Sequence, residues 1–275
     1  MTLFCSDIDG TLLNAERTLS VRTIAAIRRV VDAGHVFVLC SSRMPASMRP
    51  IEGLYDGGGV PLIAYNGGIV LRSDGSTALD VRIRPDDAMA VYDLCAELDL
   101  HGSFYSGDDW FVWAHDRWAE RETANTGVTP NPEPAVVYRT SGRILTAPPH
   151  KIMCMGDPAA IDRVERMLAD RPGLVGYRSK DTYLEIANAT CSKGDGLAVV
   201  AAELGSEPRD CVYFGDNDND LSAFAAVGTA VAVANAKPAV LAAATTVTTR
   251  HHDDGVAAYL EMFLAAHTQG NISLS

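Results

Sequence analysis

Two carboxylates one residue apart, Asp7 and Asp9, close the first apolar run of the chain and are followed by Gly10 and Thr11. In extended backbone, residues two apart point to the same side, so the pair can converge on one small volume. Converging carboxylates repel unless a cation or a shared proton intervenes. Taken alone, the stretch reads equally well as an Asx-rich turn after a strand. Other positions separate the two readings. Ser41 ends a second apolar run, Lys193 opens a helical pattern, and Asp216 ends a later apolar run, with Asn219 and Asp220 just beyond it. Two or three carboxylates with main-chain oxygen make a hard, oxygen-rich site suited to Mg2+. One carboxylate can be a nucleophile, and another a general acid toward a leaving oxygen and then a base toward water. A serine hydroxyl and a lysine ammonium supply fixed donors for phosphoryl oxygens, and in-line phosphoryl transfer chiefly needs such positioning and charge neutralisation. Singly, each has a plainer use: Ser41 as a helix cap, Lys193 as an exposed lysine, 216–220 as a solvated acidic turn. Together they favour the chemistry.

These residues need elements that bring them to one edge. Val36 to Cys40 is a short, continuous apolar strand, the pattern of a parallel sheet covered on both faces. Before it, Ser20 caps a helix whose apolar positions Ile24, Ile27 and Val31 share one face. A helix over 45–55, a glycine loop at 57–59, a strand at 61–65 and a hairpin from 69–72 and 78–83 follow. From Arg84 the character changes to helices mixed with antiparallel strand pairs. Helices at 85–98, 118–126 and 158–169 alternate with strands at 101–105, 110–114, 151–155, 174–179 and 182–186. The stretch 129–149 carries Pro130, Pro132, Pro134, Pro148 and Pro149 and is expected to be irregular or edge-like. After Ala187 the strand–helix alternation resumes and runs to a closing helix over 255–267 with a frayed tail. The expectation is an α/β core with helices on both faces of a parallel sheet, interrupted by an inserted α+β domain. Such sheets place ligands outside the carboxyl ends of their strands, where Asp7, Ser41 and Asp216 fall.

Composition narrows the partners. The chain has 275 residues, 47% hydrophobic and 21% charged, as a soluble globular protein of one large or two moderate domains would have. Its formal net charge of −12 disfavours nucleic acid and anionic membrane surfaces. No run of about 18 apolar residues could span a membrane. Six scattered cysteines without a Cys-x-x-Cys pair suit a reducing cytoplasm. With a strand expected from residue 2, no leader peptide is expected. The glycosylation patterns at Asn188 and Asn271 are therefore read as chance matches.

At this point the sequence resembles a family. Asp7-Ile8-Asp9-Gly10-Thr11-Leu12 resembles the first motif of the haloacid dehalogenase superfamily, Ser41 with Arg43 its second, and Lys193-Gly194 its third. Gly215-Asp216-Asn217-Asp218-Asn219-Asp220 resembles the fourth. Asn66-Gly67-Gly68, Leu184-Glu185-Ile186, Asn235-Ala236 and Asp254-Gly255-Val256 are similar to markers of its Cof-like (type IIB) phosphatases. The resemblance runs from Leu3 to the last helix. It implies a Rossmann-like core with a cap domain and an Mg2+-dependent phosphomonoester hydrolase of small phosphorylated metabolites, sugar phosphates foremost. Asp7 would attack phosphorus and carry the aspartyl phosphate. Asp9 would protonate the leaving alkoxide and then activate water, its carbonyl binding Mg2+. Ser41 would hold the phosphoryl group, with Ser42, Arg43 and Asn66 lining the substrate site, and Lys193 would hold and screen Asp7. Asp7 and Asp216 would be direct metal ligands, Asp220 would support the metal shell, and Asn219 would contact phosphate or Lys193.

Spacing places the cap. Asp9 to Ser41 is 32 positions, too few for a domain once a helix and strand are counted, whereas Ser41 to Lys193 is 152. The core is therefore expected at 1–83 and 188–275, with the cap at 84–187. Two departures from the motifs are Ser42, where glycine is common, and Ala234; neither removes a catalytic group. Other polar and aromatic clusters have plainer readings. Trp110, Trp113 and Trp118 could wall a sugar or pyridoxal ring, but a cap core is the simpler use. His251-His252-Asp253-Asp254 resembles a metal cluster but is placed in a solvated loop before the last helix. Arg178 and Lys180 are candidate cap-side anion contacts. Two rival functions remain open, a phosphomutase of similar architecture and a phospho-ligand sensor without turnover. The chain is expected to be a monomer or homodimer.

Overall fold

The structure is a computed structural model that describes residues 1–270; the Asn271 match and the end of the tail lie outside the described residues. The chain begins with β1 (Leu3–Ser6), α1 (Val21–Asp32), β2 (Val36–Leu39), α2 (Pro45–Gly53), β3 (Leu62–Ala64), β4 (Ile69–Leu71) and β5 (Thr77–Asp80). Then come α3 (Pro85–Glu97), β6 (His101–Ser106), β7 (Asp109–Val112), α4 (Arg117–Thr126), α5 (Ala135–Thr140), α6 (Arg143–Thr146), β8 (Lys151–Met155), α7 (Pro158–Ala169), β9 (Leu174–Lys180) and β10 (Tyr183–Asn188). It closes with α8 (Lys193–Glu203), β11 (Val212–Gly215), α9 (Leu221–Ala226), β12 (Thr229–Val233), α10 (Pro238–Ala243), β13 (Thr246–Thr248) and α11 (Gly255–Gly270).

Contacts divide the chain into two compact units. The first comprises Met1–Ser42, Met48–Leu79 and the residues from Ser192 on; the second comprises Asp80–Cys191 with Arg43–Ser47. The expected insertion at 84–187 thus lies four residues inside the observed unit at each end, because the linking segments pack with that unit: Asn188 Nδ2 donates to the Arg82 carbonyl at 2.7 Å.

The first unit is built on a parallel sheet of order β13-β12-β11-β1-β2. Placing β1 between β2 and β11 is what sets Asp7 beside the end of β11. Both faces are covered, as the unbroken apolar strands require. Leu3, Cys5, Val38 and Tyr213 join a core with Leu197 and Val200 of α8. Phe4 packs edge-on to Phe263 of α11, and Phe214 likewise to Tyr259. A three-stranded sheet β3-β4-β5 stands beside it, joined through one parallel bridge between Cys40 and Ile63. α1 starts at Ser20 as expected, but its buried face is Thr23, Ala26, Ile27 and Val30, and Val31 is exposed. Val30 and Val31 satisfy a helical period equally, and docking against α11 selects between them.

The second unit is an antiparallel sheet of order β7-β6-β8-β10-β9. Phe104, Phe111, Ile152 and Leu184 on one face share a core with Val91 and Cys95 of α3 and Val164 of α7. The stretch 129–149 is not wholly irregular, since α5 and α6 form between its prolines. Pro134 stands at the α5 N-cap, where its missing N–H costs nothing, and Tyr138 and Ile144 are fully buried. The tryptophans serve packing. Trp110 is 1% exposed and stacks on Tyr105, Trp113 packs on Tyr92, and Trp118 meets Tyr183 edge-on. Arg178 is taken up by Asp162 and Glu165, each at 2.6 Å, which argues against the candidate anion contact. Among the described residues no helix is long and apolar enough to cross a membrane.

Candidate active site

β1 ends at Ser6, and the Asp7 N–H still bonds to the Phe214 carbonyl of β11 at 2.9 Å. That register carries Asp7 to the edge where β11 releases Asp216. Gly10 makes the closeness possible. Its φ is +83°, and a Cβ there would lie 2.6 Å from Asp216 Oδ2, so the tight turn and the carboxylate both require glycine. Thr11 then donates its hydroxyl to Asp216 Oδ1 at 2.8 Å.

Lys193 is the first residue of α8, whose cap Ser192 accepts from Asp195 N–H. A helix N-terminus disfavours a cation, and full burial disfavours it further. Two carboxylates offset both: Lys193 Nζ lies 2.7 Å from Asp7 Oδ1 and 2.7 Å from Asp220 Oδ1. Burial pulls the ammonium down, but Asp220 and Asp7 outweigh it and hold Lys193 well above its usual range. Burial pushes Asp7 well up; Lys193 opposes this, and repulsion from Asp220 and Asp216 adds to it. Asp216 is also raised, by burial first and then by Asp220, against the Thr11 hydroxyl.

Oxygens of Asp7, Asp216 and Asp220 all lie within 4.8 Å of one another. One ammonium therefore faces three carboxylates, an excess of negative charge that a divalent cation would neutralise. The donor set is all oxygen, which fits a hard metal. Asp220 is placed differently from its neighbours. Its Oδ1 accepts from Lys193 and from Tyr213 Oη at 2.8 Å, and its Oδ2 from the main-chain N–H groups of Asp216 and Asn217, each at 2.9 Å. With four donors on a fully buried carboxylate, Asp220 braces the lysine and the Asp216 loop from behind. Asp7 and Asp216 offer the more open oxygens.

Ser41, Asn66 and Asn219 form a second strand of contacts. Ser41 is buried beyond β2, its N–H bonded to the Ile63 carbonyl and its carbonyl to Asn66 N–H, both at 2.9 Å. Asn66 takes a left-handed conformation, φ 56°, next to Tyr65 at 52° and Gly67 at 91°. Asparagine is among the few side chains that suit this region, and a Cβ at Gly67 would collide with the Ser192 carbonyl 2.1 Å away. Asn219 Nδ2 donates to Asn66 Oδ1 at 2.9 Å. Asp9 stands apart from the cluster, 41% exposed along its side chain and paired with Arg17 at 2.7 Å. Ser42 is half-buried, and buried Arg43 groups with the second unit. The His251-His252 segment joins no metal cluster among the described residues; His251 Nδ1 bonds to the Leu13 carbonyl at 2.9 Å.

Tyr213, hidden in an apolar strand, and Arg17, in a turn without a motif, carry no sequence signal of their place in the site, nor do the contacts of Thr11 and Asn235.

Residues 4–260 match the haloacid dehalogenase-like hydrolases. The chain belongs to that family. A putative phosphatase of Haemophilus influenzae is 30% identical over 259 residues, 93% of this chain and 95% of that protein. The 5-amino-6-(5-phospho-D-ribitylamino)uracil phosphatase YwtE of Bacillus subtilis is 28% identical, covering 96% of this chain and 99% of its own. A crystal structure of a Thermotoga maritima protein superposes with a TM-score of 0.84 at 28% identity, over 95% of this chain and 97% of that one. This haloacid dehalogenase-like chain is an enzyme of the phosphatase type, a hydrolase of phosphoric monoesters.

Proposed function

We propose that this phosphatase is Mg2+-dependent and hydrolyses small phosphorylated metabolites, sugar or polyol phosphates foremost, through an aspartyl phosphate on Asp7. The observation that carries this reading is the buried Lys193 ammonium, 2.7 Å from Asp7 Oδ1, beside Asp216. Lys193 holds one Asp7 oxygen and leaves the other to attack phosphorus, forming the Asp7–phosphorus bond as the bond to the leaving oxygen breaks. Asp9 gives its proton to that oxygen, then takes one from water, which attacks phosphorus and frees Asp7 and inorganic phosphate. To do so Asp9 exchanges Arg17 for the substrate. Ser41, Asn66 and Asn219 orient the phosphoryl group. Mg2+ would be held by Asp7, Asp216 and the Asp9 carbonyl, with Asp220 bracing them, and would supply charge neutralisation on the phosphoryl oxygens. The inserted domain would select the leaving group, and the phosphorylated ribityl chain named for the Bacillus relative supports a polyol class.

Phosphate release over a panel of sugar, polyol, nucleotide and pyridoxal phosphates, with Mg2+, with EDTA and with Asp7→Asn, tests this. Release needing both metal and Asp7 is expected. Isomerised phosphoester without free phosphate would replace the hydrolase with a mutase, and binding without turnover would replace it with a sensor.

A further inference from the structure

The turn after β12 reaches both loops that carry the proposed metal ligands. Asn235 Nδ2 donates to the Gly10 carbonyl at 2.8 Å, and its Oδ1 accepts from the His251 N–H at 2.9 Å. Two residues on, the Lys237 N–H donates to the Asp216 carbonyl at 2.9 Å. His251, held by Asn235, turns Nδ1 to the Leu13 carbonyl at 2.9 Å, which requires the proton on that nitrogen. The turn following β1 is thus gripped at Gly10 and again at Leu13, from one side and through one asparagine. Gly10 is also where this turn meets Asp216, with no room for a Cβ between them, and Thr11 next to it donates to Asp216 Oδ1. Rotation of the Gly10 peptide would therefore carry Thr11 off Asp216 and shift the main chain of Asp9.

We infer that Asn235 is a positioning residue for the metal-binding edge. It fixes the Gly10 carbonyl and so sets the spacing between the Asp7–Asp9 turn and Asp216. The inference rests on the reading that Asp7, Asp9 and Asp216 hold a divalent cation; Asn235 touches none of them and acts through Gly10. The residue type follows from the geometry. One donor and one acceptor must stand side by side on a short stem, which an amide supplies. Aspartate would repel the Gly10 carbonyl, and an apolar side chain would leave both main-chain groups unmatched.

The test compares wild type, Asn235→Ala and Asn235→Asp, following Mn2+ binding by electron paramagnetic resonance and phosphate release against Mg2+ concentration. Loss of a group bonded directly to a ligand weakens a metal by about 10- to 100-fold; Asn235 acts one residue further out, so a loss of Mn2+ affinity at the lower end, about 10-fold, is expected in both variants, with kcat largely restored at saturating Mg2+. Asn235→Asp keeps the acceptor for His251 and adds a negative charge, which alone would tighten a cation. A weaker metal in that variant therefore traces to the displaced Gly10 carbonyl rather than to charge, and it decides the matter if Asn235→Ala does not fold. A merely structural role would lower the unfolding midpoint and leave Mn2+ affinity alone. Variants that bind Mn2+ like wild type overturn the inference by itself, whereas a wild-type protein that binds no Mn2+ overturns the metal reading along with it.

Discussion

Replacing Asp220 by asparagine should destabilise the protein, whereas replacing Asp216 should not. Asp220 is fully buried and accepts four hydrogen bonds, from Lys193, Tyr213 and the N–H groups of Asp216 and Asn217. Asparagine keeps one oxygen for at most two of these donors and turns its NH2 toward the other two. Two hydrogen bonds to a charged group are lost, at about 1.5 to 3 kcal/mol each, or about 3 to 6 kcal/mol together. That is a large share of the ~5–15 kcal/mol that holds a typical protein folded. Asp216 accepts from the Thr11 hydroxyl through Oδ1, which asparagine can keep, and it stands among like charges that push its carboxyl up. Asp216→Asn should leave the metal-free protein as stable as wild type or more so, while abolishing metal-dependent phosphate release. The assay is urea unfolding in EDTA at pH 7, followed by far-UV circular dichroism, because Trp110, Trp113 and Trp118 all lie in the second unit and fluorescence would miss the first. The reasoning fails if Asp220→Asn unfolds at the wild-type midpoint, or falls no further than Asp216→Asn.

Glu52 is 8% exposed, its Oε1 finds no hydrogen-bond partner among the described residues, and burial, against Arg49, pushes its carboxyl up to about 7. A raised folded value means that stability is full below the unfolded carboxylate range and is lost as pH rises through about 7. Glu52→Gln should match wild type below pH 4 and exceed it above pH 8, by about 3 kcal/mol at one unit per 1.36 kcal/mol; parallel stability curves across that range would refute it. Gly10→Ala forces a Cβ against Asp216 at a positive φ, and thermal unfolding should show a loss of about 1 to 3 kcal/mol, with metal-dependent release gone. All six cysteines are free and buried, so a thiol reagent should find none in the native protein and six after denaturation; rapid labelling of the native protein would contradict that burial.

The α/β class was readable in the unbroken apolar strands 36–40 and 211–214, because burial on both faces removes the alternation that an open sheet shows. The edges of the insertion were readable only approximately, since hydrophobic patterns do not reveal with which body a linker such as 188–191 packs. The short helices α5 and α6 were missed because prolines at 130, 132 and 134 mask a helix whose stability comes from burying Tyr138 and Ile144. In the candidate site, Asp7, Lys193, Asp216 and Asp220 could be named from residue type at strand ends and helix starts. Residue type alone does not separate Asp216 from Asp220, the same side chain in the same turn; their different roles were implied only by the family resemblance.

Taken by itself, the sequence determined the strands and longer helices and which of their ends carry carboxylate, hydroxyl and ammonium groups, for these follow from short-range periodicity and side-chain chemistry. Residue type and spacing did not decide which group meets which; the family resemblance implied Lys193 on Asp7, and the tertiary structure supplied the other pairings. Lys193 reaches Asp7 across 186 positions because β1 lies between β2 and β11 and α8 starts at the same edge. The same ordering saturates Asp220 with four donors, leaves Asp9 on Arg17, and sets Asn235 against the Gly10 carbonyl 225 positions away. Those pairings depend on strand order and crossover, which no local pattern encodes.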